Sequence, residues 1–162
     1  MPPIMLFGLQ FTFSLVAYGV FAAWYAVPRL ARLPQAEALV PLLWVHVLRI
    51  AGGAILAPGS VDPSVPADFR VMVGFGDMAT ALLALIALVA LRSRVGFAIG
   101  LVWLFLLVAT ADTVNAVVQS LRYDVFSAPL GINWTIVTSY VPALLVSSWL
   151  IFLRLLRPAA TA

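Results

Sequence analysis

The chain has 162 residues, 64% of them hydrophobic and only 9% charged, against roughly a quarter charged in a soluble domain of this size; this points to one all-α integral membrane domain with short loops. With no cysteine, no lysine and a single histidine, it excludes disulfide exchange, thiolate metal sites, a Schiff base on retinal or pyridoxal, and bis-histidine haem ligation within one copy. Its nine arginines against six acids set the pI near 10.0, and on so apolar a chain that excess reads as membrane-orienting charge, not as a nucleic-acid footprint.

A membrane-spanning helix needs about 20 apolar residues, and five stretches reach that length. The first covers residues 4–26. Its leading segment, MPPIML, lacks positive charge, so a mature helix is expected rather than a signal peptide. Pro28 and Pro34 are expected to end it. The second, residues 38–57, holds His46 and Arg49 in the run PLLWVHVLRIAGGAILAP, and is followed by Pro58, Gly59, Pro63 and Pro66. The third, residues 69–91, contains Gly74-Phe75-Gly76-Asp77, whose glycines are expected to loosen the helix and free carbonyls for Arg49. The fourth, residues 95–119, follows Arg92-Ser93-Arg94. It carries Asp112, Asn115 and Gln119 on one stripe, and its Gly96–Gly100 GxxxG offers a face for self-association. The fifth, residues 131–153, brings Thr135, Thr138, Ser139, Tyr140 and Pro142.

The arginines alternate with the spans. Arg29, Arg32, Arg92, Arg94, Arg154 and Arg157 fall on one side, while Arg70 and Arg122 are offset on the other by Asp62, Asp68 and Asp124. The positive-inside rule then puts the amino terminus on the outside and the carboxyl terminus on the inside of the membrane. Trp24, Tyr25 and Trp149 fall near the inner interface and Trp134 near the outer one.

Charges inside a bilayer are expensive and mark partners or function. At about 1.5 Å of rise per residue, Arg49, Asp77 and Asp112 lie roughly 13, 12 and 11 Å below the outer ends of their helices, in one layer. Gln10, Ser14 and Tyr18 form a stripe on the first helix that joins this layer, as do Asn115 and the fifth-helix hydroxyls. A polar cavity open to the outside is expected, with His46, Tyr140 and Trp44 or Trp103 as its floor. The candidate ligand-binding or proton-linked residues are Arg49, Asp77, Asp112, Asn115, His46, Gln10 and Tyr140. Two carboxylates facing one arginine leave one carboxylate without a permanent partner, which can take up and release a proton. The plainer alternatives are an ion pair that fixes helix register, a neutral hydrogen-bonded His46, and interhelical hydrogen bonds among the amides and hydroxyls. No cofactor is expected, and no spacing indicates a metal site.

The run His46-Val47-Leu48-Arg49-Ile50-Ala51-Gly52, a proline-rich loop, Phe69 and then Gly74-Phe75-Gly76-Asp77 resembles a family of uncharacterised bacterial five-span membrane proteins. Those proteins pair an Arg-x-x-Gly helix with a Gly-x-Gly-Asp helix, and Asp112 through Leu130, ending Phe126-Ser127-Ala128-Pro129-Leu130, fits the later part of the pattern. The resemblance implies no activity. Trp24-Tyr25 followed by Pro28 and Pro34 is similar, in architecture alone, to the tryptophan-rich sensory proteins, which bind porphyrins and lipophilic ligands.

The leading functional expectation is a protein that binds or transports a small molecule through an outward polar pocket. The second is an accessory subunit of a larger membrane complex, or a self-associating one. The third is a membrane enzyme using His46 and Asp112 on a lipophilic substrate; no recognisable catalytic motif supports it.

Overall fold

A computed structural model describes residues 1–156; Arg157, placed above on the inner side, lies outside the described residues. Five helices are long and apolar enough to cross a membrane: α1 Pro3–Leu30, α2 Gln35–Leu56, α3 Ala67–Arg92, α4 Ala98–Arg122 and α5 Ile132–Leu155. Among the described residues there is no strand.

Each helix runs a few residues past one or both of its expected ends, most clearly at Pro28, which lies inside α1 and does not end it. A proline in a helix lacks the N–H and crowds the carbonyl four residues back. Here the preceding turn, Ala22–Ala26, widens to π geometry and accommodates the ring. α5 repeats the device, with a π turn over Ile136–Tyr140 just before Pro142. Pro34 and Pro66 stand at the N-caps of α2 and α3, where a missing N–H is harmless. Asp68 in the first turn of α3 and Arg92 in its last complement the helix dipole.

The larger core lies toward the ends that carry Arg29, Arg92 and Arg154. Ala38, Leu39, Leu43, Ala84, Ala87, Val102, Phe105 and Ile151 are its fully buried members. In LLALIALVAL of α3 the alanines Ala84, Ala87 and Ala90 point inward while Leu82, Ile86 and Val89 are exposed. Small residues on the inner face let the helix backbones approach closely.

The opposite end has a second core, made of Ile55, Val61, Val65, Phe69, Val125 and Leu130. It is built by the two loops that follow α2 and α4. The Asp62 N–H donates to the Pro129 carbonyl at 3.0 Å, and Asn133 Nδ2 donates to the Ser60 carbonyl at 3.2 Å. Ser64, through its side chain and its backbone N–H, holds the Asp62 carboxyl below the usual carboxylate range, so this loop keeps its negative charge. α1 packs on the periphery. Phe7 meets Phe126 and Trp134, and Trp134 Nε1 donates to Gln10 Oε1 at 2.7 Å.

Gly131 has φ +53°, and a Cβ there would stand 2.8 Å from the Ser60 carbonyl oxygen. Gly131→Ala should therefore destabilise by at least ~1–2 kcal/mol, measured by unfolding in detergent. Gly96→Ala, where a Cβ meets nothing within 4 Å, should leave the midpoint unchanged or slightly raised.

Candidate functional site

α2 changes pitch at its centre. From Leu48 to Leu56 it is a 3-10 helix of nine residues, long for a form that rarely exceeds three or four. At three residues per turn, side chains at every third position eclipse one another. The buried residues obey that period: Arg49, Gly52 and Ile55 form one straight row, with His46 buried at the end of the preceding α-helical stretch, while Leu48 and Ile50 are exposed.

Arg49, 5% exposed, reaches from this row to both neighbouring helices. Its Nε donates to Asp77 Oδ1 of α3 at 2.5 Å and its Nη2 to Asp112 Oδ2 of α4 at 2.5 Å. Its Nη1 donates to the Thr113 hydroxyl at 3.2 Å. Pitch matters to this meeting. Seven residues at ~2.0 Å of rise put Arg49 about 14 Å below Leu56. Ten residues at ~1.5 Å put Asp77 and Asp112 about 15 Å below Ala67 and Arg122.

Glycines make the room. A Cβ on Gly52 would collide with the Asp77 carboxylate, and one on Gly76 with that of Asp112. A Cβ on Gly74 would fall 2.5 Å from Leu56 Cγ. The Arg-x-x-Gly and Gly-x-Gly-Asp runs are thus two halves of one contact. α3 itself stays α-helical through Gly74–Asp77. The expected loosening is absent there; the irregular stretch lies in α2 and is wound tighter, and Arg49 bonds carboxylates rather than carbonyls. The expectation of one unpartnered carboxylate is likewise corrected, because a single guanidinium serves both.

Not every candidate joins this cluster. Asn115 is exposed, with Nδ2 3.0 Å from Met72 Sδ, and Gln10 pairs with Trp134. Gln119 has a buried Oε1 without a hydrogen-bond partner among the described residues. Thr138 donates to its own helix at Trp134. Trp44, 49% exposed, is no floor. Tyr140 donates to the Val45 carbonyl, just before the switch from α to 3-10 pairing, and Ser147 donates to the Leu42 carbonyl at 3.0 Å. α5 is thereby fastened to α2 below the cluster. His46 is fully buried, with Nε2 3.4 Å from the Ser148 hydroxyl, Nδ1 unpartnered among the described residues, and Phe105 edge-on at 4.9 Å.

Thr113, Ser147 and Ser148 were not readable as site residues. Hydroxyls are common in membrane helices, and only the three-dimensional register singles these out. Two clefts open on the bundle beside the charges. A cleft of about 290 Å³ between α4 and α5 is edged by Thr110, Thr113 and Ser148, and one of about 730 Å³ lies among α1, α2 and α5. Neither is lined by Arg49, Asp77 or Asp112. No group of three or more metal-ligating side chains occurs among the described residues.

Removing one member of a buried ion network strands the others, whereas replacing the whole set by apolar groups is tolerated. Arg49→Met should lose ~3–5 kcal/mol of stability. Arg49→Met with Asp77→Leu and Asp112→Leu should recover most of it, as read from melting curves in one detergent.

No curated protein and no solved structure matches the chain. Residues 6–156 match a family described as a domain of unknown function, DUF8737, in line with the resemblance to proteins without an assigned activity. Because the match takes in nearly the whole chain, the cluster included, the chain belongs to the DUF8737 family.

Proposed function

We propose that the protein is an integral membrane protein, amino terminus outside and carboxyl terminus inside the bacterial cytoplasmic membrane, that binds or carries a small molecule in step with one proton. The observation that supports this is the guanidinium shared by carboxylates from two different helices. One positive charge faces two negative ones, and a proton neutralises the excess. Asp112 is the member whose release matters, because with Thr113 it joins α4 to Arg49. Protonated, it lets Arg49 turn one N–H face to an anionic or carbonyl group of a ligand while Asp77 keeps the guanidinium oriented. His46, buried with Nε2 3.4 Å from the Ser148 hydroxyl, stands one turn deeper on the same helix as Arg49.

The sign follows. Anion binding strengthens as pH falls through the titration of the cluster and weakens as pH rises. Thermal stabilisation of the purified protein by lipophilic anions, screened at several pH values, should show that slope. Asp112→Asn, which still accepts from Arg49, should bind with the slope removed. Identical pH profiles for wild type and Asp112→Asn would refute the proton linkage.

A second reading, a subunit of a larger assembly or a homo-oligomer, is favoured by α1. Its most apolar window is 0% buried, and a Cβ on Gly8 or Gly19 meets nothing within 4 Å. Stable purification alone in mild detergent favours the first reading; constant co-purification with one membrane protein favours the second. The enzyme reading gains no such support, since His46 and Asp112 share no hydrogen-bond partner among the described residues.

A further inference from the structure

The cleft of about 730 Å³ among α1, α2 and α5 is within the size range of small-molecule sites. Each bounding helix carries a proline, Pro28, Pro41 and Pro142, and in α1 and α5 a π turn precedes it. Its wall is apolar, with Phe21, Ala22, Pro41, Val146 and Leu150 among its members. The Ser147 hydroxyl in that wall is already donated to Leu42. An apolar space of this kind does not hold ordered water.

Its two ends are polar. Tyr18 stands at one and Arg29 at the other, eleven residues apart on α1, or about 16 Å along a helix. Arg29 is held at the rim by a hydrogen bond from Nη1 to the Tyr25 carbonyl at 3.3 Å and by lying 5.7 Å from the Tyr25 ring centroid. One of its five N–H donors is used there, which leaves the others for a ligand. The same end of the bundle carries Arg32, Arg92, Arg94 and Arg154 against the single acid Glu37. A long hydrocarbon slot that ends at a guanidinium is complementary to an anionic amphiphile.

We infer that this cleft holds one acyl chain of an anionic phospholipid, with its phosphate on Arg29. The inference rests on the membrane-inserted reading above and is independent of the Arg49 cluster. The test places the protein in phosphatidylcholine nanodiscs with and without phosphatidylglycerol and reads the melting temperature and the lipid retained on re-extraction. Wild type should melt several degrees higher with phosphatidylglycerol and retain it preferentially. Arg29→Gln should lose both effects. Ala17→Trp, which fills the cleft from the exposed side of α1, should lose them with Arg29 intact. Arg92→Gln, a basic residue of the same end outside the cleft, should keep them. Equal phosphatidylglycerol effects in all four proteins would reduce the preference to general surface charge and overturn the site, as would no effect in wild type. Failure of wild type to enter discs of either composition would overturn the membrane reading as well.

Discussion

One guanidinium holds three helices at a common level. Arg49 meets Asp77 and Asp112 through separate nitrogens and reaches Thr113 with the third, so α2, α3 and α4 cannot slide past one another without stranding a charge in an apolar layer. In a bundle whose outer and core-facing surfaces are both largely apolar, apolar burial discriminates weakly between registers. The ion network discriminates strongly. It accounts for the row Arg49, Gly52, Ile55, for the glycines opposite each carboxylate, and for the alanines that let α3 approach α2 and α4.

The departures from regular helix belong to this arrangement or lie in the helices that border the cleft beside it. The 3-10 segment aligns Arg49 with its partners, and the Val45 carbonyl near its start takes the Tyr140 hydroxyl at the end of the α5 π turn. The π turns before Pro28 and Pro142 lie in the two helices, α1 and α5, that flank the apolar cleft together with α2. The bundle thus separates two environments: a closed polar cluster near one end, and an open hydrocarbon slot leading toward the arginine-rich end.

Much of this was legible in the residues. Hydropathy found all five helices, because length and apolarity are local properties. Arg49, Asp77 and Asp112 were recognisable because each is a charge in an apolar run, and the estimated depths brought them together. Asn115 and Gln10 were misplaced because matching depth does not fix azimuth. Asn115 follows Asp112 by three residues yet turns toward Met72. Pro28 misled because a proline ends a regular α-helix but not one that widens first. Thr113 carried no signal, since its role depends on where Arg49 arrives.

The long 3-10 stretch and the ion network are bound to each other. Three residues per turn against 3.6 is a difference of about 20° per residue, which over Leu48–Leu56 amounts to roughly half a revolution and some 4–5 Å of length. Were this segment to relax to ordinary pitch, it would behave as a screw. Arg49, Gly52 and Ile55 would spiral off their common line, and the loop after Leu56 would be drawn inward. Winding and charge pairing are therefore a single degree of freedom, so any influence that loosens one must turn the other.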